Sequence, residues 1–185
     1  MIARLDTQTE TMMAPFHTER DLPTTIPGIG MLAAAAVLSE IGANVTEYFP
    51  GAAHLASWAG LCPGNHESAG RRHSGKRRHG NQHLQHILVE ATWAAVRHDG
   101  YLKAPYHRHV MKWGGYRSPT AKKKAIIVAA HAILVIIWHV LAAGKPYDEL
   151  GTDFFTRRLD PERETRRLIA KLEALGHQVS LQPAA

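Results

Sequence analysis

The chain has 185 residues and a mass of 20.4 kDa, enough for one domain whose core needs no disulfide or metal to hold it together. It is 45% hydrophobic and 21% charged, which excludes a disordered or fibrous protein. The single cysteine, Cys62, excludes an intramolecular disulfide and a cysteine-rich zinc site, and suits a reducing compartment. Because residues 1–10 lack the apolar segment of a signal peptide, we expect a cytoplasmic protein.

The net charge of +6 is concentrated in the middle third of the chain. Residues 1–60 carry 2 basic and 6 acidic side chains, residues 61–125 carry 13 and 3, and residues 126–185 carry 7 of each. The densest stretch, 66–86, has five Lys or Arg, five His and one acid, Glu67. Such a run indicates a polyanionic partner, or else a solvated face or a disordered arm. Its glycines favour a loop whose backbone can approach phosphates.

The predicted elements are helices, and the expected fold class is all-α. In chain order they are the end of an amphipathic helix over 2–20, an Ala-rich helix over 31–41, a short helix over 51–60, a loop over 61–79, and helices over 81–98, 104–113 and 120–143. In the tail, Asp160 as N-cap and Pro161 as the first residue predict another helix, which Gly176 closes. The only strand that the sequence suggests is a short one over 179–181.

One segment is apolar enough to be a membrane span instead of part of a helical core. Residues 125–144 form a run of 20 that is interrupted only by His131 and His139, and this length meets the criterion for a membrane span. An all-round apolar helix is equally typical of the centre of an all-α core. It is the only such stretch and it follows a basic region, so we favour a core helix and expect no membrane association. The two histidines should then be hydrogen-bonded core residues.

The first motif is the segment 26–30, Ile-Pro-Gly-Ile-Gly, which precedes the Ala-rich helix. It resembles the turn of a helix-hairpin-helix element. Glycines permit the tight turn, and the free N–H groups at the start of the next helix can bind a phosphate oxygen without reading sequence. We therefore predict Gly28 and Gly30 as nucleic-acid contacts, with an ordinary connector between helices as the alternative.

The second motif is the basic loop, which contains Ser68 and Ser74. A serine oxygen can attack a phosphodiester where neighbouring cations offset the charge that develops in the transition state. Only Glu67 lies near enough in sequence to help, so the residues alone are more typical of an ordinary loop serine. The predicted nucleic-acid contacts of this region and of the later lysine run are Arg71, Arg72, Lys76, Arg77, Arg78, Lys122, Lys123 and Lys124.

The remaining histidines, the cysteine and the tryptophans are more typical of packing or surface residues than of ligands. The loop histidines include His79 and His83 at a spacing that permits two metal ligands on one helical face, but without cysteines or paired carboxylates we predict no metal site in this chain. Cys62 is expected to be a small buried residue. The four tryptophans, Trp58, Trp93, Trp113 and Trp138, lie at apolar helical positions and are expected in the core.

The order of these features is more specific than any one of them. TIPGIG (25–30) is followed by WAGLCPGNHESAGRRHSGKRRHGNQHL (58–84), then by KKKAIIVAAHAILVIIWHVL (122–141) and KPYDEL (145–150). This arrangement, over roughly residues 20–150, resembles the C-terminal transposase domain of the insertion sequence 110/116/902 family.

The resemblance implies a role in DNA transposition by site-specific recombination. In that family an N-terminal RuvC-like domain binds Mg²⁺ through an acidic DEDD quartet, a coiled coil follows, and this domain supplies a serine that links covalently to DNA. The implied nucleophile is Ser68, with Ser74 as the fallback. The implied partners are DNA, further copies of the chain and, for some members, an element-encoded guide RNA. Residues 1–20 then correspond to the end of the coiled coil, 21–150 to the transposase domain and 151–185 to its tail.

Two departures from the family pattern shape the expectation. No DEDD segment is found in the chain, and Gln82 and Gln85 stand where basic residues are usual. We therefore expect a truncated transposase that holds no cofactor itself and is inactive alone, the Mg²⁺ belonging to the missing RuvC-like domain. The alternatives are a non-catalytic DNA- or RNA-binding module or relic of such a transposase and, third, a membrane-associated basic protein.

Overall fold

The computed structural model describes residues 2–63, 66–74, 76–77, 79–157 and 160–181, and the chain divides into two units, Met1–Thr152 and Asp153–Ala185. In the first unit the elements are α1 (Ile2–Met13), a 3₁₀ turn (Ala14–Phe16), α2 (His17–Thr24), α3 (Met31–Ile41), α4 (Val45–Tyr48), α5 (Ala52–Trp58), β1 (His66–Ser68), β2 (Arg71–Ser74), α6 (Gln82–Ala95), α7 (Lys103–Lys112) and α8 (Pro119–Ala143). The second unit contains α9 (Phe154–Arg157) and α10 (Pro161–Ala174). The all-α prediction is confirmed.

Helix α8 is the centre of the first unit, because α2, α4, α5, α6 and α7 all pack against it. Its buried residues recur at helical spacing along one face: Ala121, Ala125, Ile126, Ala129, Ala130, Ile133, Leu134, Ile137 and Val140. In the described part of the chain it is also the one helix whose length and composition would allow it to cross a bilayer. In this fold the apolar residues of α8 form the side of the core against which the other helices pack.

The two histidines of α8 differ in their surroundings. His131 is half-buried, and burial lowers the pKa of its imidazole. His139 is exposed and meets the neighbouring Trp138 ring edge-on, with the ring centroids 5.0 Å apart. The prediction that His139 is a core residue was therefore wrong. The other helices cover one face of α8, and residue 139 lies on the face they leave open.

The apolar core has two parts that share α6 and α8. The larger part joins α3, α5, α6 and α8 and includes Leu55, Leu84 and Ile133, none of which is measurably exposed. The smaller part joins α6, α7 and α8 through Val110, Ile126 and their neighbours. Burying each such side chain stabilises the fold by roughly 1.5–3 kcal/mol. The two clusters therefore fix how α6, α7 and α8 are arranged around the site described below.

The N-terminal helix does not run unbroken to residue 20. It ends at Met13, and a 3₁₀ turn containing Pro15 separates it from α2, because proline lacks the N–H that a continuing helix requires. Buried Arg20 joins the two helices through its Nη1, which lies 3.1 Å from Glu10 Oε2. Pro23 lies inside α2.

In the second unit, the local signals of the tail helix are confirmed. Asp160 Oδ1 accepts a hydrogen bond from the Glu162 N–H at 3.1 Å, Pro161 is the first helical residue, and Gly176 follows the helix with a φ of +87°. Residues 179–181 form no strand.

Candidate nucleic-acid interface

A β-hairpin replaces the loop that was predicted over 61–79. Strand β1 pairs antiparallel with β2, so that Ser68 opposes Arg71, and the register shifts between His66 and Glu67. The turn consists of Ala69 and Gly70, whose φ angles of 51° and 72° are those of a type I′ turn. Glycine adopts this conformation freely, whereas alanine there costs roughly 1–2 kcal/mol. The described side chains of the hairpin are exposed. These side chains therefore form no buried face that would require apolar residues at alternating positions.

The hairpin places Ser68 beside a cation. Ser68 and Arg71 are both exposed, and opposed residues on one face of an antiparallel pair have Cβ atoms about 4.5–5.5 Å apart. A phosphate held by Arg71 is therefore within reach of the Ser68 hydroxyl. Glu67 precedes Ser68 in the same strand, and successive strand residues point to opposite faces. The hairpin therefore does not place Glu67 beside Ser68 as a base.

Some predicted site residues cannot be placed in full. Ser74 opposes His66 at the far end of the hairpin, and Arg72 opposes Glu67, but the side chains of Ser74 and Arg72 lie outside the described part. Arg78 lies outside the described residues altogether. Lys76 is exposed just beyond β2.

Hydrogen bonds anchor the base of the hairpin to the helical body. The Arg77 guanidinium donates from Nη1 to the Gln85 side-chain oxygen at 3.0 Å and to the Gly60 carbonyl at 3.4 Å. Gln85 in turn donates to the carbonyl of Ala59 at 2.7 Å. Gln85, which stands where a basic residue is usual in the family, thus positions a cation. This role has no local signal in the sequence, because Gln85 and Ala59 are 26 residues apart.

A close backbone approach fixes the exit of the hairpin. A Cβ on Gly80 would lie 2.4 Å from both the carbonyl carbon of Ala59 and the nitrogen of Gly60. No side chain fits there without a backbone shift. The segment that leaves the hairpin is thereby pressed against the end of α5.

A cleft of about 890 Å³ opens at the base of the hairpin, between α6, α7 and α8. The lining residues recur one turn apart: Val89 and Trp93 from α6, His109 from α7 with Trp113 just after its end, and Thr120, Lys123, Lys124 and Ile127 from α8. Leu61, Pro63 and Arg77 complete the wall on the hairpin side. The structure therefore brings three predicted contacts, Arg77, Lys123 and Lys124, to one cleft.

The charge of this cleft has one sign. It contains three cationic side chains and an imidazole, and none of the described residues that line it is acidic. The N-terminus of α8 also lies there, capped by Ser118, whose hydroxyl oxygen accepts a hydrogen bond from the Ala121 N–H at 3.2 Å. A helix N-terminus adds positive potential. The third lysine of the run, Lys122, does not line the cleft.

The tryptophans are less buried than predicted. Trp58 is 42% exposed and Trp113 is 36% exposed, while Trp93 and Trp138 are half-buried. Trp113 immediately follows α7 and turns toward the cleft rather than into the core. An apolar helical position does not reveal whether the opposite wall is filled, so the sequence alone did not show that Trp93 and Trp113 line the cleft.

Cys62 is partly buried, and burial raises the pKa of its thiol.

The segment 26–30 forms a tight turn between α2 and α3, which pack against each other. The Ile29 N–H donates to the Ile26 carbonyl at 3.1 Å, and Gly28 has a φ of +89°, as in a type II turn. A Cβ on Gly28 would lie 2.3 Å from the Ala91 carbonyl oxygen of α6. Gly28 thus packs against a helix, whereas Gly30 is exposed at the start of α3.

The turn and the cleft lie on different sides of α6. Gly28 contacts Ala91 and Ala95, and the cleft uses Val89 and Trp93. Two residues correspond to a rotation of roughly 200° about the helix axis. The predicted nucleic-acid contacts therefore separate into two surfaces, and the structure does not bring Gly28 and Gly30 together with the cleft.

Metal ligands are not gathered in the described part of the chain. No group of three or more His, Cys, Asp or Glu side chains there could hold a metal ion. The Mg²⁺ that the resemblance implies therefore has no fitting ligand set among these residues.

The fold and the site together define an all-α domain that presents a basic hairpin and a basic cleft. Residues 21–107, just under half of the chain, match the sequence model of the Transposase IS116/IS110/IS902 family. The matched segment contains Ser68, Arg77 and the cleft residues of α6, and it ends within α7.

Two curated proteins are similar to parts of this chain. The 43.6 kDa protein of insertion element IS110 from Streptomyces coelicolor is 35% identical over 93 residues, which is 50% of this chain and 22% of that protein. A Sinorhizobium fredii protein named as a transposase, y4rJ, is 29% identical over 125 residues, 64% of this chain and 29% of that protein. The chain thus spans less than a third of the length of each.

Proposed function

We propose that this transposase domain binds DNA through the hairpin and the adjoining cleft, and that Ser68 attacks the DNA backbone during transposition. One observation carries the proposal. Arg77, Lys123 and Lys124 line a single cleft whose described lining contains no acidic residue, at the base of the hairpin that holds Ser68 opposite Arg71. Cations on rigid helices and on a hydrogen-bonded hairpin position a phosphate backbone relative to the serine.

The chemistry proposed for Ser68 is an exchange of phosphoesters. The serine oxygen forms a bond to phosphorus, the bond from phosphorus to a deoxyribose oxygen breaks, and that oxygen leaves with a proton while the serine hydroxyl loses one. The number of phosphodiester bonds is conserved, so the exchange needs no external energy source. Arg71 opposes Ser68 and is placed to offset the extra negative charge of the transition state.

A second candidate function is a DNA-binding module without catalysis. The observation that favours it is the hairpin geometry, which places Glu67 on the opposite face from Ser68. DNA binding through the cleft is common to both functions, and only the role of Ser68 separates them. Guidance by an RNA and self-association stay predictions from the family resemblance.

The cleft lysines test the DNA-binding surface. Replacing Lys123 and Lys124 together by alanine is expected to weaken binding to a DNA duplex about 10-fold or more at moderate salt, because two phosphate contacts and their released counterions are lost. The measurement is fluorescence anisotropy of a labelled duplex. Both side chains are exposed, so the fold should be unaffected.

The matched control removes the same charge elsewhere. Lys103 pairs with Asp99 at 2.6 Å, and Lys145 is exposed beyond α8; neither lines the cleft. The double variant Lys103→Ala/Lys145→Ala should bind nearly as tightly as the wild type. Equal loss in the two double variants would mean that only net charge matters, and the proposed surface would then be wrong.

A further inference from the structure

We propose that the cleft between α6, α7 and α8 receives an unpaired nucleotide of a single DNA strand, with its base against Trp113 and Trp93 and its phosphate on Lys123, Lys124 and Arg77. This inference rests on the proposed DNA-binding function and goes beyond it, because it assigns an unpaired base to the aromatic wall of the cleft. The cations of the hairpin and the cleft hold backbone phosphates, and the aromatic wall holds a base that has left the stack.

The aromatic wall is preorganised by ring contacts. The Trp93 ring meets Tyr106 edge-on, with centroids 6.1 Å apart and planes at 73°, and Tyr106 is itself buried. The Trp113 ring lies 5.1 Å from the His109 ring, one turn back on α7. These contacts restrict both indoles before any ligand arrives, so little side-chain entropy is lost on binding.

The apolar interior of the cleft has the size and chemistry of a nucleotide site. A volume of about 890 Å³ lies within the range of small-ligand sites, which is roughly 300–1,000 Å³. The floor is apolar, through Val89, Ile126 and Ile127, and the rim is cationic. A base offers a flat apolar face and its phosphate an anion, which is the pairing that single-strand-binding proteins use through aromatic and basic side chains.

The position of the cleft also fits the exchange proposed for Ser68. Arg77 belongs both to the cleft wall and, through its bridge to Pro63, to the base of the hairpin. A strand whose phosphate lies at the hairpin can therefore continue past Arg77 into the cleft. In a continuous duplex, base stacking and pairing hold the strand in place. Unpairing at this point would release the strand and give the serine access to its backbone.

The test compares Trp113→Ala, Trp113→Phe and Trp58→Ala in the full chain. Trp58 is the matched control, because it is 42% exposed against 36% for Trp113, its ring lies 5.2 Å from that of Phe49, and it does not line the cleft. Each protein is titrated with a short labelled DNA strand and with the duplex of the same sequence. An RNA strand of that sequence is a third ligand.

Trp113→Ala is expected to weaken binding of the DNA strand about 5-fold or more, the loss of one stacked base, with no change in duplex affinity. Trp113→Phe should retain most of the affinity, and Trp58→Ala all of it. A DNA strand carrying 5-iodouracil should photo-crosslink to the peptide that contains Trp113.

Unchanged single-strand affinity in Trp113→Ala would overturn the inference, as would an equal loss for strand and duplex or a preference for RNA over the DNA strand. Failure of the proposed function gives a different pattern, in which the wild type binds no duplex. The single-strand arm then still decides the role of the cleft, because its readout does not depend on duplex binding.

Discussion

Replacing Gly28 by alanine is expected to lower the free energy of unfolding by about 3 kcal/mol or more. The φ of +89° costs an L-residue roughly 1–2 kcal/mol, and the new Cβ would lie 2.3 Å from the Ala91 carbonyl oxygen and 2.6 Å from the Ala95 nitrogen, an overpacking that costs roughly 1–3 kcal/mol more. The clash is with helical backbone, which cannot move aside as a side chain can. Urea denaturation followed by circular dichroism measures the change.

Gly30, two residues along the same turn, is the matched control. It has no atom within 4 Å of a built Cβ and a φ of −89°, which any residue adopts. Gly30→Ala should cost at most about 1 kcal/mol, the difference between glycine and alanine at an N-cap. If both variants unfold at the same urea concentration as the wild type, Gly28 does not pack closely against α6 and the prediction is contradicted.

Replacing Ser68 by alanine is expected to abolish a covalent adduct between the protein and DNA. The assay supplies the metal-binding half of a related family transposase separately and detects labelled DNA that remains on the protein in a denaturing gel. Alanine removes the oxygen that forms the bond to phosphorus, so the loss should be complete rather than partial. Ser68 is exposed, and stability should change by less than about 0.5 kcal/mol.

Ser74→Ala is the control for that experiment, since Ser74 lies in the same hairpin at the far end of β2. It should retain the adduct. An adduct that persists in Ser68→Ala and vanishes in Ser74→Ala would move the nucleophile to Ser74. Duplex affinity should be normal in both variants, which separates a lost nucleophile from lost binding.

Most of the helices could be predicted because their signals are local. The Ala-rich helix was predicted over 31–41 and runs over Met31–Ile41, and the apolar helix was predicted over 120–143 and runs over Pro119–Ala143. Caps such as Asp160 and glycines such as Gly176 mark helix ends within a few residues of chain. The all-α class follows from these elements.

The hairpin could not be predicted from apolar periodicity. Its strands span only 66–68 and 71–74, and their described side chains are all exposed. The turn signal was present in Ala69-Gly70, but alanine at a positive φ is uncommon, and basic residues on both sides favoured a loop. The short α4 was missed for a related reason, because four residues contain too little periodicity to detect.

The cleft depends on tertiary packing and has no local signature. Trp93 and Trp113 occupy positions that suit a core equally well, and only the arrangement of α6, α7 and α8 leaves the space between them open. The link from Gln85 to Arg77 likewise joins elements that the sequence does not place together. Basic residues could be chosen from the sequence, but their grouping into a cleft surface and a separate turn surface required the fold.

The salt dependence of duplex binding tests the central claim most directly, namely that the cations of the hairpin and cleft contact DNA phosphates. The described exposed cations that we assign to this surface are Arg71, Lys76, Arg77, Lys123 and Lys124. If each contacts one phosphate, a plot of log affinity against log salt concentration should have a slope of about −4.5. A slope near zero, or the same slope after Lys123 and Lys124 are replaced, would contradict it.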